Sequence, residues 1–215
     1  MLELVNVSKS FNTNSFFWGK KRAQKSILNN INLFIDSGVA IKISGENGSG
    51  KTTLLRIASN NLIQDTGSIK LTNTLENEQI KLVSTNTRSF FLRLTVKENL
   101  IFFASLNNLN LFDTKCLEFL ENMEITALLD EKYSSLSNGQ QKLILIARSF
   151  ITNTKILMID ELGSDLDKEK TGKLQKILKG YVQAGNSLIF TSHEDDSNFI
   201  DYKEYKLSNK QLNPK

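Results

Sequence analysis

The stretch that decides the fold is an apolar segment, a glycine cluster and a second apolar segment in immediate succession. It reads Val39-Ala-Ile-Lys-Ile-Ser-Gly45-Glu-Asn-Gly-Ser-Gly-Lys51-Thr52-Thr-Leu-Leu-Arg-Ile-Ala58. The β-branched residues before the glycines predict a buried strand, and the apolar residues of 54–58 fall on one face of a predicted helix. Glycines between a strand and a helix allow the backbone to turn tightly, so that successive N–H groups point toward one anion. The order of these elements therefore predicts a phosphate-binding loop.

Residues 45–52 match the pattern G-x-x-x-x-G-K-[ST] in full and carry one additional glycine. We predict that N–H groups of the loop and the positive end of the following helix dipole bind the phosphates of a nucleoside triphosphate. Lys51 is expected to reach the β- and γ-phosphates, and the Thr52 hydroxyl is expected to ligate Mg²⁺. The predicted nucleotide-binding residues of this segment are Gly45, Glu46, Asn47, Gly48, Ser49, Gly50, Lys51, Thr52 and Thr53.

A second apolar run ends in two carboxylates, Lys155-Ile-Leu-Met-Ile-Asp160-Glu161. Ligands of open α/β sheets bind at the carboxyl ends of strands, so this pair is expected to face the phosphate loop. Asp160 is then placed to hold Mg²⁺, directly or through its water, and Glu161 to polarise the water that attacks the γ-phosphate. The single histidine, His193, follows a strand-like run. It is predicted to contact the γ-phosphate or the attacking water, with a surface or core role as the alternative.

Further short β-branched runs alternate with helical patterns, which predicts an α/β fold with a mostly parallel central sheet. The predicted strands of that sheet are residues 39–44, 80–84, 156–160 and 187–192. A smaller antiparallel β layer is predicted from residues 2–7, 31–35 and 68–71, the last preceded by a turn at Thr66-Gly67. Residues 95–129 are rich in Leu and Phe at helical spacings and contain no glycine, so they predict an inserted α-helical lobe.

Composition limits the class of protein and its compartment. A single cysteine, Cys116, excludes an internal disulfide and fits a reducing cytosol. No run approaches the roughly 20 apolar residues that cross a bilayer, and we expect no secretory signal after Met1. The net charge of +4 is spread thinly apart from a cluster at residues 20–25, so no nucleic-acid partner is expected. We interpret that cluster as a solvated loop tip, with a contact to a membrane or partner as the alternative.

A third motif, Leu136-Ser137-Asn138-Gly139-Gln140-Gln141, stands between the phosphate loop and the acidic pair. It resembles the LSGGQ signature of the ABC ATPases, and further motifs of that family are present in the family's order. Phe11 corresponds to the aromatic residue that stacks on adenine. A D-loop at Ser164-Asp-Leu-Asp167 and the switch residue His193 follow the acidic pair.

The resemblance implies a P-loop NTPase fold and a single ABC ATPase domain over residues 1–215. Within it, residues 1–85 and 136–215 would form the nucleotide-binding core with its β layer, and residues 86–135 the helical lobe. It also implies a head-to-tail dimer that encloses two ATP molecules with Mg²⁺. Each ATP would lie between the phosphate loop of one subunit and Ser137, Gly139 and Gln140 of the other. The residues agree, because Ser137 and the N–H of Gly139 open a predicted helix, whose N-terminus is an anion site.

Partners and location follow from the same resemblance. We expect a second copy of the chain as the dimer partner and membrane-spanning permease subunits on separate chains. These subunits would hold the chain in the cytoplasm, on the inner face of the cell membrane, and ATP hydrolysis would power their transport.

Four residues depart from the family pattern. Asn138 replaces the first signature glycine, and because Asn tolerates positive φ we expect the geometry to be retained. Asn86 stands where the family has a Gln and is predicted as a shorter Mg²⁺ ligand. Leu162 replaces a common Pro, and Phe11 keeps the stacking face of the usual Tyr without its hydroxyl. None of these changes removes a catalytic group, so ATP hydrolysis is expected.

Three functions compete on the sequence alone. Residues 87–96 resemble ATPases of exporters, which favours an export ATPase. A soluble ABC ATPase that acts on ribosomes or DNA is the alternative. Such proteins have two nucleotide domains or long heptad insertions, and neither pattern is present. A P-loop kinase or GTPase ranks last, since it leaves the signature unexplained.

Overall fold

The computed structural model describes residues 1–13, 23–72, 79–84, 90–192 and 200–215. Its strands are β1 (Leu2–Thr13), β2 (Ala23–Ile35), β3 (Ala40–Ser44), β4 (Thr66–Leu71), β5 (Ile80–Val83), β6 (Ile156–Ile159), β7 (Ser187–Thr191), β8 (Tyr202–Ser208) and β9 (Gln211–Pro214). Its α-helices are α1 (Lys51–Ala58), α2 (Val96–Leu106), α3 (Lys115–Asn122), α4 (Asn138–Ser149) and α5 (Lys168–Gln183). Short 3₁₀ helices lie at Leu111–Asp113, Thr126–Asp130 and Tyr133–Ser135.

The described residues form two sheets. The larger sheet has the strand order β5-β6-β7-β3-β8-β9, in which the first five strands are parallel and β9 is antiparallel to β8. The smaller sheet is antiparallel, with β1 between β2 and β4. Together with the helices between β5 and β6, these sheets confirm the predicted α/β fold class.

The structure corrects one predicted turn and adds one hairpin. The turn predicted at Thr66-Gly67 belongs to β4, where Gly67 has φ 85° opposite a register shift in β1. A glycine with positive φ therefore marks a bulge here and not a chain reversal. The β8–β9 hairpin was not predicted, because the frequent charged residues of 202–208 obscure the alternation of a strand.

Residues of the central strands alternate between two hydrophobic cores. On β6, Leu157 and Ile159 face the core that includes α4, α5 and the lobe. Ile156 and Met158 face the other core, which includes α1 and the antiparallel layer. A parallel strand buried on both faces is apolar at every position, which explains the continuous runs in the sequence.

The helical lobe follows β5 and packs on α4. Thr95 begins α2 with a capping box, in which its backbone N–H and hydroxyl donate to the Glu98 carboxylate and lower the pKa of Glu98. The Phe90 ring stacks on the Tyr133 ring with centroids 4.4 Å apart, which joins the two ends of the lobe. In the described ranges, the helices are all too short or too polar to cross a membrane.

Candidate nucleotide-binding site

The phosphate loop joins β3 to α1 and depends on glycine at two positions. Gly45 has φ +152°, and a Cβ there would lie 2.5 Å from the carbonyl oxygen of Leu207 on β8. Gly50 has φ +109°, and a Cβ there would lie 2.8 Å from Cγ2 of Ile27 on β2. A side chain at either position would clash with a strand and adopt an unfavourable backbone conformation. The loop is therefore held between two strands in one conformation.

Lys51 begins α1 and is buried at the base of the loop. Its Nζ donates to the carbonyl oxygens of Gly45 at 2.7 Å and Glu46 at 3.0 Å. These acceptors are neutral, and a phosphate group is a stronger acceptor for an ammonium group. Among the described residues, Ser49 Oγ is buried and has no hydrogen-bond partner. Buried polar groups are normally paired, so the loop has a binding capacity that an anion would complete.

The predicted metal-binding residues Thr52 and Asp160 lie in direct contact. Thr52 Oγ1 donates to Asp160 Oδ2 at 2.6 Å, although the two residues come from α1 and the end of β6. Hydroxyl and carboxylate oxygens are the ligands that Mg²⁺ prefers, and Mg²⁺ uses one or two protein ligands together with substrate phosphates. The pair beside the phosphate loop fits a magnesium ion bound with a nucleotide.

Thr191, at the end of β7, contacts the Asp160 carboxylate and the Glu161 backbone, and it was not predicted. Its side chain is fully buried, with 0% exposed. Its Oγ1 donates to Asp160 Oδ1 at 2.9 Å and accepts the Glu161 N–H at 2.7 Å. A threonine in an apolar strand gives no sequence signal for this role, because only the parallel pairing of β6 with β7 brings it beside the acidic pair.

Glu161 follows β6 with an exposed side chain and φ 58°. Its N–H is held by Thr191, and its carbonyl oxygen accepts the Lys142 Nζ from α4 and the Ser164 hydroxyl at 3.1 Å. Leu162, in the position of the usual Pro, is buried. The carboxylate of Glu161 is thus free of the core while its backbone is fixed, as a catalytic base requires.

The signature segment opens α4. Ser137 caps the helix, with its Oγ accepting the Gln140 N–H at 3.3 Å and its own N–H donating to Gln140 Oε1 at 2.9 Å. Asn138 is the first helical residue and is not among the described residues with positive φ. The position therefore holds an ordinary helical residue, and the tolerance of Asn for positive φ is not used there. Gly139 is buried against the carbonyl of Asp165.

Phe11 is 42% exposed near the end of β1 and has the Lys9 Nζ 5.6 Å from its ring centroid. Asp65 fixes this part of β1, because its carboxylate accepts the Lys9 ammonium at 2.7 Å and the Ser10 N–H at 2.7 Å. Phe11 pairs with Lys25 across the β1–β2 ladder. Lys25 lines a cavity of about 570 Å³ whose other walls are Glu46, Asn47, Gly48 and Ser49 and residues of 206–210. The cross-strand partner of Phe11 and the phosphate loop thus line the same opening.

Two predicted site residues, Asn86 and His193, lie outside the described residues. Their predicted roles at the metal and at the γ-phosphate stay predictions. The basic cluster of residues 20–25 is also largely outside, with Lys25 as its described member.

Comparison with known proteins gives the family of this site. Residues 28–163 match the family model described as "ABC transporter". The chain is 31% identical over 195 residues to the cytochrome c biogenesis ATP-binding export protein CcmA of Aliivibrio fischeri, covering 86% of this chain and 92% of that protein. It is 31% identical over 213 residues to the ribose import ATP-binding protein RbsA of Lactococcus lactis subsp. cremoris, covering 92% of this chain and 41% of RbsA. It is also 31% identical to the spermidine/putrescine import ATP-binding protein PotA of Haemophilus influenzae, of which it spans 52%.

Solved structures show the same fold. The dimeric structure of MJ0796, a bacterial ABC transporter cassette, superimposes with a TM-score of 0.82 at 24% identity, covering 99% of this chain and 96% of that one. A dimeric post-hydrolysis state of the same cassette, bound to ADP and Pi, gives a TM-score of 0.79. The match over residues 28–163 contains the phosphate loop, the signature and the acidic pair. The chain therefore belongs to the ABC transporter family, as an ATP-binding domain.

Proposed function

We propose that two copies of the chain enclose two ATP molecules, that Glu161 directs their hydrolysis, and that this cycle powers transport by separate membrane-spanning subunits. The observation that carries the proposal is the contact of Thr52 with Asp160, immediately before Glu161. It brings cation ligands and a potential base to the phosphate loop from two distant parts of the chain.

Each described residue of the site has a distinct task. Lys51 would exchange its loop carbonyls for the β- and γ-phosphates when ATP binds. Thr52 and Asp160 would hold Mg²⁺, which neutralises charge on the β- and γ-phosphate oxygens when bound. The Glu161 carboxylate would orient the attacking water and accept its proton. Phe11 would stack on the adenine, as its exposed face permits.

The signature is proposed to act on the ATP of a second copy. Ser137 and Asn138 are exposed at the start of α4, a helix of 12 residues. A helix N-terminus of this length carries a partial positive charge and N–H groups that bind phosphate. ATP would therefore hold the two copies together, and hydrolysis would release them. Dimeric cassettes with TM-scores of 0.79 and 0.82 support this arrangement.

The experiment compares the wild-type chain with Glu161→Gln. Because the amide cannot accept a proton, we expect ATP turnover to fall about 10²- to 10⁴-fold. Since the amide still fits the site, the variant should form a stable dimer in ATP–Mg²⁺, measured by light scattering. Glu169→Gln is the matched control, because Glu169 is an exposed carboxylate at the start of α5 that pairs with Lys173. Its turnover should equal that of the wild type.

Two results would contradict the proposal. Wild-type turnover in Glu161→Gln would exclude Glu161 as the base. If the wild-type chain hydrolyses ATP but the Glu161→Gln variant stays monomeric in ATP–Mg²⁺, the homodimer is excluded. The dimer partner would then be a different ATP-binding chain.

The finer part of the proposal is an export ATPase at the inner face of the cell membrane, held there by permease subunits. The export protein CcmA supports this direction, because the matched region covers 92% of its length. The import ATP-binding proteins RbsA and PotA are matched over only 41% and 52% of theirs. A groove of about 270 Å³ between β5, α2 and α4 is proposed to receive a helix of the permease. The exposed Phe91 ring contacts the Phe102 ring edge-on at 5.0 Å, and the Phe102 ring contacts that of Phe103, which lines the groove. Residues 87–89 of the segment that resembles exporters lie outside the described part.

The permease contact has its own test. Phe91→Ala should weaken co-purification of the chain with its membrane subunits, because it removes an exposed apolar contact. ATP turnover of the isolated chain should not change, since Phe91 lies outside the nucleotide site. Unchanged co-purification would exclude this surface as the docking site.

A further inference from the structure

One lysine of the signature helix is fully buried and contacts the segment that follows β6. Lys142 lies on α4 and is 1% exposed. Its Nζ donates to the carbonyl oxygens of Glu161 and Ser164, the second at 3.1 Å, and to Ser164 Oγ at 2.8 Å. These acceptors converge on the ammonium group from one segment. A buried ammonium group held in this way fixes the backbone that supplies its acceptors.

The segment that Lys142 contacts has an unfavourable backbone conformation. Glu161 has φ 58° and Asp165 has φ 65°. The left-handed region is unfavourable for residues other than glycine, because their Cβ approaches the following carbonyl oxygen. It persists where neighbouring contacts determine it. At Glu161, neighbouring contacts hold the backbone on both sides, because Thr191 accepts the N–H and Lys142 donates to the carbonyl oxygen.

The start of α4 packs on the same segment. A Cβ on Gly139 would overlap the carbonyl oxygen of Asp165, so the two backbones are in direct contact. Lys142 lies three residues further on, on the same side of the helix. The element that would bind one ATP is therefore joined at two points to the element that would hydrolyse the other.

We propose that Lys142 is a positioning residue that fixes the backbone of Glu161 and so couples the signature helix to hydrolysis at the chain's own phosphate loop. The inference rests on the proposed function, because it requires Glu161 to act on the attacking water. Lys142 acts on Glu161 through the Glu161 carbonyl oxygen, directly and through the hydroxyl of Ser164. When the ATP of the other copy binds at the N-terminus of α4, any shift of that helix reaches Glu161 through the ammonium group.

The test compares Lys142→Met with Lys142→Arg in the full chain. Methionine keeps the length of the side chain and removes its donors, so the Glu161 carbonyl oxygen loses its donor from α4 and keeps only those of Ser164. We expect kcat to fall about 10- to 100-fold, as for a small displacement of a catalytic group. KM for ATP should change less than about twofold, since ground-state binding is not affected. Arginine, which retains the donors, should restore part of kcat.

A second measurement does not depend on turnover. Amide hydrogen exchange of residues 161–165 should become about tenfold faster or more in Lys142→Met, because local opening becomes easier. Exchange of residues 45–52 should not change. If Lys142→Met does not fold, Ser164→Ala can replace it, because it removes one acceptor of the Lys142 ammonium group. Hydrogen exchange of residues 161–165 should then also become faster, by a smaller factor.

The controls separate the two proposals. Lys42→Met removes another buried lysine, on β3, and should leave exchange of residues 161–165 unchanged. In the Glu161→Gln variant, adding Lys142→Met should not lower the residual turnover further and should still permit the ATP-dependent dimer.

Two results would overturn the role of Lys142: unchanged hydrogen exchange of residues 161–165, or equal losses in kcat and ATP affinity. A wild-type chain without ATP turnover would instead contradict the proposed function, while the exchange data would still decide the inference.

Discussion

At the scale of single residues, the site depends on one hydroxyl that serves two acidic neighbours. Thr191 donates to the Asp160 carboxylate and accepts the Glu161 N–H, at 2.9 and 2.7 Å. The first bond is buried and the second partly buried, and an unpaired buried polar group costs about 1–3 kcal/mol. The threonine therefore holds the Asp160 carboxylate in place relative to the backbone of Glu161.

This role predicts the effect of an isosteric change. Thr191→Val keeps the shape and removes the hydroxyl, so the Glu161 N–H loses its partner. We expect a loss of about 1–3 kcal/mol in the free energy of unfolding, measured in urea, together with a fall in ATP turnover. Thr191→Ser keeps the hydroxyl and should retain most turnover. Equal turnover in the valine and wild-type chains would show that the hydroxyl does not position the acids.

At the scale of elements, two glycines within helices differ in the space available for a side chain. Gly139 near the start of α4 has no room for a Cβ, because the carbonyl of Asp165 occupies that space. Gly172 in α5 has no described heavy atom within 4 Å of the position that a Cβ would take. Close approach of two backbones explains the first glycine, and local packing does not explain the second.

The pair gives a matched prediction. Gly139→Ala should destabilise the chain by about 1–3 kcal/mol, because the segment around Asp165 must move. Gly172→Ala should stabilise it by about 0.5–1 kcal/mol, since alanine loses less conformational entropy in a helix. Denaturant unfolding of both variants checks the signs. A neutral Gly139→Ala would mean that α4 and the D-loop move apart at little cost.

At the scale of the whole molecule, the central sheet separates two cores, and the lobe shares one of them. Cys116 on α3 belongs to that core with Leu157 of β6 and Phe190 of β7. Its side chain is 0% exposed, and burial raises the pKa of its thiol from 9.0 to about 12. The only cysteine of the chain therefore reports on the integrity of the shared core.

This burial predicts slow thiol labelling and a loss of stability at high pH. The native thiol should react with an aromatic disulfide on the order of 10³-fold or more slowly than in the denatured chain, because the core must open first. Burial favours the neutral thiol, so its contribution to stability is complete below pH 9.0 and is lost as the pH rises from 9.0 to about 12. Rapid labelling of the native chain at neutral pH would show that the lobe opens independently.

The sequence predicts the parts of this molecule that local chemistry determines. The glycine loop, the apolar strands and the Asp160-Glu161 pair have patterns that require a particular backbone or burial on both faces. Thr191 and Lys142 were missed because their roles arise from neighbours that are 31 and 19 residues away in the chain. The β8–β9 hairpin was missed because charged residues on both faces of β8 obscure the alternation of a strand. Long-range contacts, such as the pairing of β6 with β7, bring these residues together, and no local sequence pattern encodes such contacts.

At Glu161, the left-handed backbone conformation lowers stability, while the side chain is needed for the proposed activity. Glycine adopts that conformation without a steric penalty, so Glu161→Gly would recover part of the roughly 1–2 kcal/mol of strain. The same change would remove the carboxylate. Laboratory selection for heat resistance alone would thus favour the loss of this side chain, and a screen that also measures ATP turnover is needed to keep it.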